Sequence, residues 1–202
     1  MARFDAIVLA GGRARRLGGV SKPDVAVAGR RLLDHALEAT AGAGRVVVVA
    51  PAAVAVPDGV TRTLEDPPHG GPVAGLAAGL AALDSDDGSS GDDRDGDTAE
   101  LVLVLACDGP YVATAVPRLL AALRTDDEDQ PDGAVLVDGD DRAQWLTAVY
   151  RAVALRERVA EQAREQTGES MHALVSQLRL VGVPAREHEA DDVDTWDDLP
   201  DG

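Results

Sequence analysis

Residues Leu9–Lys22 (LAGGRARRLGGVSK) gather four glycines and four cations, Arg13, Arg15, Arg16 and Lys22, into one short stretch. Glycines let a backbone approach an oxyanion closely, and the amides then donate hydrogen bonds to it. Two readings fit this composition: a cradle for phosphate, or a solvated turn with incidental arginines. A dinucleotide fingerprint does not fit, because G-x-G-x-x-G is absent from the stretch. A Walker A loop does not fit either, since Lys22 follows Ser21 and precedes Pro23. Lys22 is also the one lysine among 19 basic residues.

Three further stretches carry chemically useful side chains. Cys107-Asp108-Gly109-Pro110 follows the apolar run Glu100–Ala106. A carboxylate there suits Mg²⁺ beside a triphosphate, whereas an Asp-Gly pair is also an ordinary turn. Glu65–Leu76 (EDPPHGGPVAGL) combines prolines and glycines ahead of a helix. Such a rigid, backbone-exposing loop can bind the edge of a base or offer a helix N-terminus to an anion, or simply connect strand to helix. In the tail, Thr195 is a candidate cap for a short final helix, with Asp197 and Asp198 in its first turn. Asp192 and Asp194 precede that cap and are available as a second metal carboxylate. His35, His69, His172 and His188 show no ligand spacing, and no G-x-S-x-G elbow supports a nucleophilic hydrolase.

These residues need a frame that brings them together. Phe4–Ala10, Arg45–Ala50, Glu100–Ala106, Gly133–Val137, Gln144–Tyr150 and Arg179–Val183 read as strands. Arg31–Ala41, Pro72–Leu83, Ala113–Arg124, Ala152–Gln166 and Met171–Leu178 read as helices, with Gly42 and Pro72 as stop and start signals. Strands alternating with helices predict a single three-layer, Rossmann-like α/β domain over 1–202, its sheet mostly parallel with helices on both faces. Ligands of such sheets bind at the carboxyl ends of the strands, where Gly11 and Asp108 fall. Asp84–Thr98, with seven aspartates and no apolar side chain, reads as a disordered, solvated insertion, and Asp126–Asp132 as a shorter one.

Bulk properties narrow the class. A chain of 202 residues, 45% hydrophobic, can bury a substantial single core. A net charge of −17 argues against nucleic acid or an anionic membrane as partner. No apolar run reaches a membrane-spanning length, and Ala6–Ala10 is too short for a signal peptide. One cysteine, Cys107, permits no internal disulfide, so a cytoplasmic location is expected.

Taken together the motifs resemble the molybdenum cofactor guanylyltransferase family, within the sugar-nucleotide-type nucleotidyltransferases. Leu9-Ala10-Gly11-Gly12 with Arg16, Gly18 and Lys22 resembles the group's signature loop. Gly71-Pro72-Val73-Ala74-Gly75-Leu76 resembles the segment beside the guanine, and Cys107–Pro110 the one whose aspartate holds Mg²⁺. Gln144–Tyr150 (QWLTAVY) and Asp192–Leu199 (DVDTWDDL) are similar to its two later motifs. Ser21, Trp145, Trp196 and the Ala50-Pro51-Ala52 strand end depart from it. The resemblance implies transfer of GMP from GTP to a phosphorylated acceptor of molybdopterin type. Cytidylyl transfer, another acceptor, or a nucleotide-binding homologue without turnover are the alternatives. It implies Arg16, Lys22 and Asp108 as catalytic residues. Nucleotide binding would fall to Leu9, Ala10, Gly11, Gly12, Lys22, Asp66, Gly71, Pro72, Ala74, Gly75 and Asp108. Mg²⁺ would be held by Asp108 and Asp194, and contacts with a molybdoenzyme or cofactor carrier would follow.

Overall fold

Strand β1 (Phe4–Leu9) is buried along its whole length, and its alternating side chains feed two separate cores. Ala6 and Val8 face one core, Ile7 and Leu9 the other, as the two-residue period of a strand requires. The computed structural model describes residues 3–11, 13–14, 20–68, 70–85, 99–124, 130–165, 170–195 and 198.

The central sheet adds β6 (Val46–Val49), β7 (Thr61–Thr63), β8 (Leu101–Ala106), β9 (Gly133–Val137), β10 (Ala143–Arg151) and β11 (Leu180–Pro184). Its order is β11-β9-β10-β8-β1-β6-β7, and only β10 runs against its neighbours. Helices α1 (Leu32–Ala39) and α3 (Val116–Ala122) cover one face; α2 (Gly71–Ser85), α4 (Ala152–Glu165) and α5 (Met171–Val175) cover the other. Two short antiparallel pairs lie outside the sheet: β2 (Arg13–Ala14) with β3 (Val20–Ser21), and β4 (Ala26–Val27) with β5 (Arg30–Arg31).

The three-layer, mostly parallel architecture matches the sequence reading, with local differences. The helix expected over Ala113–Arg124 is divided into a 3-10 turn at Val112–Thr114 and α3. Pro117 explains the break: it lacks an N–H and sits in the first turn of a helix that restarts there. The helix expected over Met171–Leu178 stops at Val175. Strand β7 is polar and three residues long, so no periodic signal marked it. Asp84 and Ser85, expected in the acidic insertion, close α2, and residues 86–98 and 125–129 lie outside the described residues. Among the described residues no helix is long and apolar enough to cross a membrane.

Helix α2 approaches β1 very closely. A Cβ on Gly79 would lie 2.6 Å from Ile7 Cγ2, and one on Gly75 would lie 3.3 Å from Leu9 Cδ2. Ile7 is fully buried and has nowhere to retreat. Gly79→Ala therefore gains helix propensity but overpacks the core, for a net loss of about 1 kcal/mol in urea unfolding.

Candidate active site

Because β1 and β8 are parallel neighbours in register, Leu9 opposite Ala106, the stretches that follow them emerge side by side. The Cys107 amide donates to the Leu9 carbonyl at 3.1 Å, fixing the two exits together. From β1 the chain leaves through Gly11 and returns at Lys22, which opens a 3-10 turn with Pro23 buried behind it. Ser21 Oγ donates to Asp24 Oδ2 at 2.5 Å and the Val25 amide to the Lys22 carbonyl, so the turn is held at both ends.

A third, small core brings the distant tail to this point. Val25, Val27 and Leu32 bury the side chain of Val193, and the Val193 amide donates to the Asp108 carbonyl at 3.0 Å. Asp192 and Asp194 flank this anchored valine. One carboxylate oxygen from each of Asp108, Asp192 and Asp194 lies within 4.8 Å of the others. Lys22 Nζ donates to Asp108 Oδ2 at 3.0 Å and to Asp194 Oδ1 at 2.5 Å, and its side chain is only 14% exposed. Burial opposes its charge, but Asp108 and Asp194 outweigh that, and the ammonium pKa rises above 10.5. Asp192 is pushed up by burial and by the charges of Asp108 and Asp194, with Lys22 opposing. An all-oxygen donor set of this kind suits a hard divalent cation such as Mg²⁺.

The tail is held by a second device. Glu189 is 4% exposed and accepts from Thr114 Oγ1, the Arg186 amide and Arg118. Burial would raise its pKa, yet these donors lower it. The carboxylate therefore ties residues 186–194 to the start of α3. Glu189→Gln is expected to weaken this tie, costing about 2 kcal/mol of stability. It should also raise the Mg²⁺ concentration for half-maximal activity several-fold, as a Mg²⁺ titration of turnover would show.

Other expected site residues divide by position. Leu9 and Ala10 are buried at 8% and 1%, and the Ala10 amide donates to the Val49 carbonyl. Gly11 lies exposed at the mouth of the loop, while Gly12 and Arg16 lie outside the described residues. Asp66 is exposed before α2, Gly71 opens that helix at φ +85°, and Pro72 is exposed on its first turn. Ala74 is half-buried, and Gly75 faces Leu9 and Val49 of the sheet. In the tail, Asp198 Oδ2 accepts from the Asp194 and Thr195 amides, so the side-chain cap comes from the later residue, not from Thr195. Of the helix expected after Thr195 only Asp198 is described, in a 3-10 turn; residues 196–197 and 199–202 lie outside the described residues. Cys107 stays a neutral thiol, pushed up to about 12 by burial and by the neighbouring Asp108.

On the β10 side of Asp108 lies a cleft of about 300 Å³, bounded by Pro72, Trp145, Met171 and Asp192. Trp145, Leu146 and Thr147 are wall residues that the sequence motifs did not single out as a site. They lie where β10 breaks register with β9, between Gln144 and Ala148.

The model of the MobA-like NTP transferase domain matches residues 6–181, from within β1 into β11. The chain belongs to the MobA-like NTP transferase domain family. This MobA-like domain is 37% identical over 123 residues to a molybdenum cofactor guanylyltransferase of Acidiphilium cryptum, covering 58% of this chain and 54% of that one. It is 28% identical over 143 residues to one of Shewanella baltica, covering 68% and 64%. The matches thus span between half and two thirds of these relatives' own lengths. Among solved structures, molybdopterin-guanine dinucleotide biosynthesis protein A from Archaeoglobus fulgidus superposes with a TM-score of 0.64 at 19% identity, covering 96% of this chain and 94% of that one. The 2-C-methyl-D-erythritol 4-phosphate cytidylyltransferase from Thermus thermophilus gives 0.69 at 20% identity, covering 98% and 95%. At those identities the likeness is one of fold.

Proposed function

We propose that this MobA-like domain transfers GMP from GTP to a phosphorylated small-molecule acceptor of molybdopterin type. The observation that carries the reading is the meeting of Lys22, Asp108, Asp192 and Asp194 beside a separate cleft, where β1 and β8 end together. An acceptor phosphate oxygen attacks the α-phosphorus of GTP; the new P–O bond forms as the bond to the β-phosphate oxygen breaks and pyrophosphate leaves. The acceptor is already anionic at neutral pH, so no strong base is required, and catalysis reduces to alignment and charge stabilisation. Lys22, held charged, donates to phosphate oxygens that gain negative charge. Gly11 and Gly12 supply amides to the phosphates, and Arg16 opposes charge on the departing pyrophosphate. Asp108 and Asp194, with Asp192 beside them, are the residues to hold Mg²⁺, which when bound supplies Lewis-acid stabilisation of phosphate oxygens. The relatives named as molybdenum cofactor guanylyltransferases support both the base and the acceptor.

The test is pyrophosphate release with each of the four nucleoside triphosphates, with and without molybdopterin. GTP with molybdopterin should give the fastest release. Preference for CTP would replace this reading by cytidylyl transfer, and tight GTP binding without release would leave a nucleotide-binding homologue.

A further inference from the structure

Strand β9 runs into a tight turn in which one carboxylate serves three donors. The Asp138 amide donates to the Arg142 carbonyl at 3.0 Å and closes the turn. Asp138 Oδ1 accepts from the Asp140 and Arg142 amides, each at 2.9 Å. The second oxygen, Oδ2, accepts from Gln144 Nε2, also at 2.9 Å. Gln144 pairs with Leu136 of β9, two residues before Asp138, so the two side chains stand on one face of the ladder. Gln144 lines the cleft beside Asp108, and Asp138 lies outside it.

The charge on Asp138 decides which way the Gln144 amide points. The Arg142 amide, with the Asp140 amide and Gln144, holds the Asp138 carboxyl below the usual carboxylate range, so it is ionised at neutral pH. An ionised carboxylate only accepts hydrogen bonds. Gln144 must therefore turn its NH₂ to Asp138, which leaves its carbonyl oxygen for the cleft. Among the described residues nothing donates to that oxygen. Without the carboxylate the amide is free to rotate by half a turn and offer donors instead, since its two ends are alike in shape.

We propose that Asp138 is a positioning residue for the phosphorylated substrate, holding the Gln144 amide so that its carbonyl oxygen accepts a hydrogen bond in the cleft. The inference rests on the nucleotidyl-transfer reading for the identity of that substrate, and not for the orientation of the amide.

Asp138→Asn tests it without dismantling the turn. The asparagine oxygen still accepts from the Asp140 and Arg142 amides, so its NH₂ faces Gln144. Gln144 must then turn its oxygen to residue 138 and its NH₂ to the cleft. The KM for molybdopterin should rise roughly tenfold, the effect of a donor brought to face a donor, with kcat and the KM for GTP unchanged. Gln144→Leu should raise the same KM, and adding Asp138→Asn to it should do nothing more, because Asp138 acts only through Gln144. An unchanged KM in either single variant overturns the inference. So does an effect of Asp138→Asn that persists in the Gln144→Leu background, which would make Asp138 a turn residue only. Proton exchange of the Gln144 side-chain amide, followed by NMR, needs no turnover. It should be slow in wild type and faster in Asp138→Asn, and equal rates in the two overturn the inference. Slow exchange that Asp138→Asn abolishes, in a protein that transfers no GMP to molybdopterin, would overturn the proposed reaction and uphold the amide's orientation.

Discussion

Replacing Asp108 with alanine is expected to lower GTP-dependent turnover by about a thousandfold or more while leaving the fold intact. Lewis-acid stabilisation of phosphate is worth several kcal/mol, and each 1.36 kcal/mol is tenfold in rate. The surroundings of the side chain favour this role over that of a turn residue. The Asp108 side chain accepts from Lys22 and stands close to two other carboxylates, so its removal relieves like-charge repulsion. Asp192, pushed up by burial and then by Asp108 and Asp194, should return toward its ordinary value in the variant. A carboxyl whose folded pKa is raised loses stability as pH rises through that window, so metal-free Asp108→Ala gains at Asp192 what it loses with the Lys22 ion pair and should differ little in stability from wild type at neutral pH. Steady-state kinetics with a Mg²⁺ titration, and a thermal melt, check both halves. Turnover that keeps its wild-type Mg²⁺ dependence would remove Asp108 from the metal site, and a large fall in melting temperature would make it a turn residue.

The frame was legible because its strands are parallel and buried on both faces. Phe4–Leu9, Val46–Val49 and Leu101–Ala106 are near-continuous apolar runs, and runs of that kind announce themselves. The ends of those runs then pointed to Gly11 and Asp108 without further information. The tail's position was not legible. Val193 looks like any isolated valine, and only the third core shows that it is the anchor presenting Asp192 and Asp194. Lys22 was suspect as the one lysine, but its double contact depends on a chain reversal held by Pro23 and Val25. Glycines carry a packing role that their motif does not announce. Gly75 sits in a ligand-like motif, yet its visible role is to let α2 lie against Leu9 and Val49, as Gly79 does against Ile7. Trp145 was a departure from a motif until the bulge in β10 turned it toward the cleft.

Lys22→Ala is the second large effect. Losing one preorganised donor to charge that develops in the transition state costs about a hundredfold or more in kcat. Lys22 is well placed for that role, since its ammonium is buried to 14% exposure, tethered by two carboxylates and kept charged well above neutral pH. The same tethers predict a second consequence. Without the ammonium, Asp108 and Asp194 lose the cation they share and the three carboxylates repel one another more strongly, so the metal-free variant should bind Mg²⁺ at least as tightly as wild type. Turnover and metal affinity should therefore move in opposite directions, which general damage to the site would not produce. Lys22→Arg should rescue poorly, because a planar fork cannot reproduce a compact point charge between two carboxylates 3.0 and 2.5 Å away. Isothermal titration of Mg²⁺ beside single-turnover rates with GTP makes the comparison. A Lys22→Ala protein with near-normal turnover would take the lysine out of the chemistry, and one that had also lost Mg²⁺ would make it a structural tie between the end of β8 and the tail.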